Sequence, residues 1–284
     1  MSTAAASVGA PRALLLGATS VVGFSLAQRF SALLLPIANP HNRAADGHPW
    51  HRARLDEPAE WLPLLQTRAP DLVIYAHAVC DVGKCEQYPE WARRVNVDCL
   101  AAVLDSVPAS TRFVYLSSDH VFGGDGTYSE TSSPTPISVY GRTRVDAEQL
   151  VLQRPGSLII RFGLPIGRSL NGRTGFYDWL RYRYERQLPI TVIRDEWRSA
   201  AHADDVAQRV FELAQAPIGG IRHITATRAV ARPELATHLM NQQGLPACFS
   251  LQNRADQPYP HLGRVELTSD HGDELASALA SVVP

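Results

Sequence analysis

Three side chains near the middle of the sequence have the types and the spacing needed to reduce a carbonyl group. Ser118 follows the apolar residues 113–116, which predict a buried strand, and Arg144 comes four residues after Tyr140 in a segment that predicts a helix. Side chains four positions apart share one face of a helix, so the phenol and the cation point the same way. A phenol can donate a proton while a nearby cation lowers its pKa, and a serine hydroxyl can orient a carbonyl oxygen. The set suits carbonyl reduction wherever a hydride donor lies beside it.

A turn near the start of the chain predicts where that hydride donor binds. Residues 14–16 are leucines that predict a first strand, and a turn of small residues containing Gly17 and Gly23 leads from them into a helix. Such a turn holds the pyrophosphate of a dinucleotide, because glycine admits the backbone close to phosphate and a helix N-terminus offers free N–H groups. Ser20 stands where a middle glycine is common, so a tight turn that only packs two elements is the alternative. The residues assigned to cofactor binding here are Gly17, Thr19, Ser20, Val21, Val22 and Gly23.

The end of the second predicted strand distinguishes NADP from NAD. An acidic residue at this place accepts hydrogen bonds from the ribose 2′-hydroxyl of NAD and would repel the 2′-phosphate of NADP. The first acidic residue of the chain is Asp46, and the segment before it carries amides, an imidazole and a guanidinium. Those donors favour NADP over NAD, with an ordinary polar loop as the alternative. The residues assigned here are Asn39, His41, Asn42 and Arg43.

The order of elements predicts an α/β fold, a Rossmann-type doubly wound parallel sheet with a smaller C-terminal substrate lobe. Short, almost continuously apolar runs alternate with helical segments, which is typical of a parallel sheet covered on both faces. The predicted strands are residues 13–16, 33–37, 72–76, 113–116, 158–162 and 221–225, and the predicted helices are 57–68, 91–107, 138–153 and 205–216. The predicted domains are a dinucleotide-binding domain at 11–163, to which 200–226 returns, and a substrate-binding lobe at 164–199 and 227–284. Residues from 232 onward are expected to be helix and loop.

Composition excludes several classes of protein. The 284 residues carry 27 basic and 28 acidic side chains, so the chain has no overall field that would attract nucleic acid or an anionic membrane. The four cysteines show neither zinc spacing nor the density of a disulfide-stapled domain, and no long apolar span is present in the sequence. A cytoplasmic protein without a metal site is therefore expected. Arginines and aromatics alternate over residues 179–186, and this segment predicts a solvated helix face or a contact between two copies in a homodimer rather than nucleic-acid binding.

The same motifs resemble those of the extended short-chain dehydrogenases/reductases, and most of all the dTDP-4-dehydrorhamnose reductase group of nucleotide-sugar enzymes. The resemblance runs from Leu14 to about Ala207 and rests on residues 17–23, 77–86, 95–97, 117–122, 140–144, 161–163 and 195–205. It implies that Ser118 and Tyr140 are the family's catalytic hydroxyl and catalytic tyrosine. The chain departs from the family at Arg144, where a lysine is usual, and at His120, where the reductases usually have tyrosine.

The resemblance also implies the remaining site residues. It assigns catalysis to Ser118, Tyr140 and Arg144, adds Ala76, His77, Ala78, Asn96, Tyr140 and Arg144 to the cofactor site, and assigns substrate binding to Lys84, Ser118, His120, Trp197 and Arg198. Some of these assignments have structural alternatives. Asn96 could be a packed structural amide, and Lys84 and His120 could be ordinary surface residues. Asp119 could cap its loop, and Arg198 could tie the lobes together by pairing with Asp195 or Asp205.

Together these features predict an NAD(P)H-dependent reductase that acts on the keto group of a nucleotide sugar or a similar small carbonyl compound, with Tyr140 as the proton donor. Two alternatives stay open. Arg144 and Ser20 are also compatible with a dinucleotide-binding subunit that has lost catalysis, as in the regulatory subunit of methionine adenosyltransferase, which has a similar fold. Asp119 directly after Ser118 is compatible with an epimerase or a dehydratase, which returns its hydride to the same substrate.

Overall fold

A computed structural model describes residues 12–272, 275 and 277–284 of the chain. Residue 11, at which the predicted first domain begins, and residues 273, 274 and 276 of the predicted second lobe lie outside the described residues. The strands are β1 (Ala13–Leu16), β2 (Leu34–Ala38), β3 (His51–Arg52), β4 (Leu72–Tyr75), β5 (Arg112–Leu116), β6 (Gly126–Tyr128), β7 (Leu158–Phe162), β8 (Leu164–Ile166), β9 (Thr191–Ile193), β10 (Trp197–His202), β11 (Gly220–Ile224), β12 (Ala229–Ala231), β13 (Ser250–Gln252) and β14 (Arg264–Leu267). The α-helices are α1 (Val21–Arg29), α2 (Pro58–Arg68), α3 (Val82–Gln87), α4 (Pro89–Arg93), α5 (Cys99–Ser106), α6 (Val139–Leu152), α7 (Gly175–Glu185), α8 (Ala203–Gln215) and α9 (Arg232–Gln242).

A seven-stranded sheet is the largest of the sheets in the described residues. Its strand order is β11-β7-β5-β4-β1-β2-β3, and each neighbouring pair is parallel. The chain starts at the middle of the sheet, extends to one edge and then returns to build the other half. This topology confirms the Rossmann-type doubly wound fold, and it brings the carboxyl ends of β1, β4 and β5 to one edge, where open α/β sheets bind their ligands.

Two apolar cores lie on opposite faces of this sheet. Alternate residues of a strand point to opposite faces, so Leu15 packs into the core with α1 and α8, whereas Leu14 and Leu16 pack into the core with α2, α5 and α6. All three leucines are almost fully buried, which explains why the strand is a continuous apolar run.

A second sheet, of five strands, was not expected from the sequence. β10 lies near its centre and pairs with β8, β12 and β14, and β14 pairs in turn with β6. β13 pairs with β9 in a separate two-stranded sheet, so the expectation of helix and loop after residue 232 was wrong for β13 and β14. These strands are only three and four residues long, too short to show the alternation by which a strand is recognised.

The predicted helix at 91–107 is interrupted. It consists of α4, a π-helical turn at Arg94–Asp98 and α5. The wide turn contains Asn96, whose side chain is fully buried. π-turns inside helices are frequent at functional sites. No helix within the described part of the chain is long and apolar enough to cross a membrane.

Candidate active site

The turn at residues 17–23 was predicted to bind phosphate, and we call it the phosphate turn. It lies between β1 and α1 and is packed tightly against the end of β4. Gly17 has a φ of +88°, and a Cβ atom at this position would lie 2.4 Å from the backbone nitrogen of His77, so only glycine fits. Ser20 caps α1 by accepting a hydrogen bond from the Gly23 N–H at 3.0 Å, and its hydroxyl donates to the Gly17 carbonyl. The N–H groups of Val21 and Val22 in the first helical turn have no intrahelical acceptor and are available to a phosphate.

The loop after β2 is held in place by a residue that the sequence did not single out. Arg52 on β3 donates from Nη2 to the carbonyls of Pro40 and Asn42, at 3.0 and 2.8 Å. The side-chain oxygens of Asn39 and Asn42 also accept backbone N–H groups of this loop. The structure thus presents the predicted 2′-phosphate residues on one ordered loop, and Arg43 is exposed there.

Residues 76–78 continue β4 towards the turn. Ala76 donates its N–H to the Leu16 carbonyl at 2.7 Å, and burial lowers the pKa of His77 to about 4, so its imidazole is neutral at neutral pH. The side chain of Asn96 accepts the Val79 N–H at 2.8 Å and donates to the Val79 carbonyl and to Thr143. Both amide hydrogens are therefore used inside the protein, and Asn96 fastens the loop after β4 to α6.

The predicted catalytic side chains meet in one buried cluster. Ser138 caps α6 as expected, and the helix brings Tyr140 and Arg144 against the end of β5, where Ser118 follows. Arg144 donates from Nη2 to the Leu116 carbonyl, and its guanidinium carbon lies 4.6 Å from the ring centre of Tyr115 and 5.9 Å from that of Tyr140. Nε and Nη1 of Arg144 are buried without a hydrogen-bond partner among the described residues.

The environment of Tyr140 favours a protonated phenol. Burial raises the pKa of Tyr140, whereas the Arg144 cation and a hydrogen bond with Ser118 lower it, and the pKa stays above its ordinary value overall. A phenol that keeps its proton at neutral pH suits donation to a substrate oxygen.

His120 and Arg198 join this cluster from the other side. The rings of His120 and Tyr140 lie edge to face with their centres 5.1 Å apart, and Arg198 Nη1 is 3.3 Å from His120 Nε2. Arg198 also forms a bidentate pair with Asp119, in which Nε is 2.6 Å from Oδ2. The alternative predicted from the sequence, in which Arg198 pairs with Asp195 or Asp205, was wrong. Arg198 pairs with Asp119 and Glu196. The cap of this loop is Ser118 rather than Asp119.

Several residues of this cluster were missed from the sequence. Glu196 is buried between Arg198, at 3.2 Å, Arg232, at 3.9 Å, and His261, at 3.4 Å. The exposed thiol of Cys80 lies near enough to Tyr140 to affect its pKa. Arg232 and His261 lie far from Glu196 in the chain and left no signal, and the only signal for Glu196 was the lone Glu-x-Arg of residues 196–198, which runs into β10.

Two of the predicted substrate-binding residues remain outside these contacts. Lys84 is exposed on α3, where its backbone N–H meets the capping Asp81, and Trp197 is half-buried at the start of β10. A cavity of about 480 Å³ lies elsewhere, between α1, α7 and the start of α8, and Ser118 and Tyr140 do not line it. Among the described residues, no cluster of three or more His, Cys, Asp or Glu side chains could hold a metal ion.

Comparison with known proteins agrees with this architecture. The chain is 32% identical over 190 residues to a probable low-salt glycan biosynthesis reductase of Haloferax volcanii, an alignment that takes in 64% of the chain and spans 63% of that relative's length. It is 28% identical over 267 residues to methionine adenosyltransferase 2 subunit beta of Xenopus laevis, covering 87% of the chain and 76% of the relative. The crystal structure of dTDP-4-dehydrorhamnose reductase from Bacillus anthracis in complex with NADP has the same fold, with a TM-score of 0.77 and 18% identity over 95% of this chain and 94% of that one.

A family model covers nearly the whole described chain. The model for the RmlD substrate binding domain matches residues 11–261 and so takes in the turn at 17–23, the cluster of Ser118, Tyr140 and Arg144, and β10. The chain belongs to the RmlD substrate binding domain family.

Proposed function

We propose that the protein is an NADPH-dependent reductase of a keto group on a nucleotide sugar or a similar small carbonyl compound, with Tyr140 as the proton donor. The observation that carries the proposal is the buried cluster of Ser118, Tyr140 and Arg144 at the sheet edge where the phosphate turn also lies. The reductase names of the relative from Haloferax volcanii and of the Bacillus anthracis structure support the same activity.

The residues present fit a nicotinamide dinucleotide. Gly17 turns the backbone with a positive φ and lets the turn pack against residues 76–77, where a Cβ atom would clash, and α1 directs its first N–H groups to a pyrophosphate at this turn. The unpartnered Nε and Nη1 of Arg144 can meet the hydroxyls of the nicotinamide ribose. When bound, the cofactor supplies hydride to the carbonyl carbon.

Each residue of the cluster has a separate task in that reaction. Ser118 donates a hydrogen bond that orients the carbonyl oxygen, and Tyr140 transfers its phenolic proton to that oxygen. Arg144 stabilises the phenolate that is left, because its cation is 5.9 Å from the ring centre. A guanidinium does not give up a proton at neutral pH, so Arg144 acts as a fixed charge and the proton of Tyr140 must be restored from water.

The experiment is incubation of the protein with NADPH and a panel of 4-keto-6-deoxy nucleotide sugars, followed at the nicotinamide absorbance. Loss of absorbance with at least one sugar, abolished in Tyr140→Phe, is the expected result. Tight NADPH binding without turnover of any member of the panel would overturn the proposal. An epimerase would convert substrate without net loss of NADPH, and a dehydratase is disfavoured because Arg198 holds the Asp119 carboxylate.

A second candidate is a dinucleotide-binding subunit that regulates another enzyme. The alignment with methionine adenosyltransferase 2 subunit beta, over 87% of the chain, favours it. This function predicts that both the wild type and Tyr140→Phe bind NADPH and that neither consumes it.

A further inference from the structure

The ring of His120 is held between the catalytic phenol and a buried cation. The His120 and Tyr140 rings pack edge to face with 5.1 Å between their centres, and His120 Nε2 lies 3.3 Å from Arg198 Nη1. The backbone N–H of His120 donates to Ser118 Oγ at 3.3 Å. His120 is therefore fixed next to the two hydroxyls that would meet the substrate carbonyl.

Arg198 decides which ring nitrogen of His120 carries the proton. A guanidinium can only donate hydrogen bonds, so Nε2 of His120 must be the acceptor, and the hydrogen of a neutral ring then resides on Nδ1. Arg198 cannot turn away, since Asp119 binds its Nε and Nη2 and Glu196 accepts from Nη1 at 3.2 Å. Burial and the Arg198 charge both lower the pKa of His120 well below its ordinary value, which keeps the ring neutral.

The Nδ1–H group is left without an acceptor. Nδ1 of His120 is buried and has no hydrogen-bond partner among the described residues. A buried donor without a partner destabilises the protein, and a ligand oxygen that accepts its hydrogen bond removes that penalty. Because Nδ1 belongs to the ring that touches Tyr140, the missing acceptor is expected close to the atom that receives the phenolic proton.

We propose that His120 donates a hydrogen bond from Nδ1 to a substrate oxygen next to the reacting carbonyl, and that Arg198 is a positioning residue which fixes this tautomer. The inference rests on the proposed reductase function and deepens it. In this role His120 donates a hydrogen bond that selects the substrate, and it does not transfer a proton. Arg198, which was predicted to bind substrate, then acts only through His120. The preferred substrates are sugars with a hydroxyl or carbonyl oxygen on the carbon beside the keto group.

A pair of amide substitutions separates the two ring nitrogens. Asparagine places its N–H group near the position of Nδ1, whereas glutamine places its N–H group near that of Nε2. His120→Asn is expected to keep kcat/KM within about threefold of wild type, while His120→Gln and His120→Phe lose about tenfold or more, mainly through KM, which corresponds to about one lost hydrogen bond. NADPH affinity should stay the same in all three variants, and His202→Asn, an exposed position on the same strand as Arg198, is the control.

The tautomer is measured directly by ¹⁵N NMR of the histidine ring in the wild-type protein at neutral pH, with His120→Asn used to assign the signal. A proton on Nδ1 is expected in the wild type. A proton on Nε2, or wild-type kcat/KM in His120→Phe, would overturn this inference while the reductase function stands. Absence of turnover by the wild type with every sugar would overturn both.

Discussion

The guanidinium carbon of Arg144 lies 4.6 Å from the ring centre of Tyr115 and 5.9 Å from that of Tyr140, so one buried cation lies beside two aromatic rings, one on β5 and one on α6. Its Nη2 is fixed on the Leu116 carbonyl. The long, planar side chain fills the space between β5 and α6 and cannot be shortened without loss of one of these contacts.

Arg144→Lys is therefore expected to lower kcat/KM by about tenfold, since an ammonium keeps the charge but not the fork that reaches Leu116 and leaves two N–H groups for the cofactor. Arg144→Met should lose more, because the pKa of Tyr140 would rise further without the cation. Steady-state kinetics with NADPH measure both. A gain of activity in Arg144→Lys would contradict this expectation and show that the arginine impairs a site better suited to lysine.

Removal of the Tyr140 hydroxyl should lower kcat by roughly a hundredfold or more, the usual effect of losing a general acid, while NADPH binding is retained. The matched control is Tyr75→Phe. Tyr75 is equally buried and its hydroxyl has no hydrogen-bond partner among the described residues, so this change should leave kcat and stability nearly unaltered. Equal rates for the two variants would contradict the role of Tyr140.

Arg43→Ala should weaken NADPH binding by about tenfold and leave NADH binding unchanged, because only NADPH carries the 2′-phosphate that a guanidinium would hold. Arg43 is exposed and its guanidinium makes no ion pair with the described residues, so the change should not affect stability. Fluorescence titration of both nucleotides provides the comparison, with NADH as internal control. An equal loss of NADH affinity would show that Arg43 does not act through the 2′-phosphate.

The buried pair of Glu148 and Arg161 predicts a large effect on stability. Arg161 binds Glu148 through Nε at 2.9 Å and Nη2 at 2.6 Å, and Ser117 donates to the same carboxylate. Glu148→Gln leaves a buried cation without its charge partner, which costs about 3–5 kcal/mol of unfolding free energy. Glu234→Gln, in the exposed pair with Arg228, should cost under about 1 kcal/mol in the same denaturant titration.

His223 predicts a loss of stability in mild acid. Burial lowers the pKa of His223 to about 4, and its Nδ1 donates to the Thr268 carbonyl at 2.9 Å. The unfolded histidine takes up a proton near pH 6.5, so stability is complete above that pH and falls between 6.5 and 4 by about 3 kcal/mol. His223→Asn keeps the donor without titrating, and its unfolding free energy should be flatter over this range. The Glu130 carboxylate accepts the His223 backbone N–H and opposes the lowering of the His223 pKa, so the two groups affect each other's titration.

The sequence was informative where the chain is regular. Apolar runs placed β1 and β7 at their observed bounds, and the N-cap of α6 at Ser138 was correct, because burial on both faces and capping leave local signals. Tyr140 and Arg144 lie on α6, and Ser118 follows β5 by two residues, so the order of the parallel strands was enough to predict that they meet.

The rest depends on contacts between distant parts of the chain. The pair of Asp119 and Arg198 joins residues 79 positions apart, and Glu196 finds Arg232 and His261 only after β10 and α9 have packed. Arg198 inside β10 hides the strand pattern, since it is buried by pairing rather than by apolar character. Ion pairs between distant residues produce no periodic pattern in the sequence, so they could not be predicted from it.

β11 completes the edge of the large sheet beside β7 only after the chain has formed β8, β9 and β10. A fragment that ended after residue 163 would present β7 as a bare apolar edge, which recruits foreign strands and leads to aggregation. The segment between β7 and β11 therefore leaves the large sheet after one strand and returns to it in the next, like an insertion. Recombination between relatives, natural or engineered, can exchange it only when both crossings to the sheet are preserved.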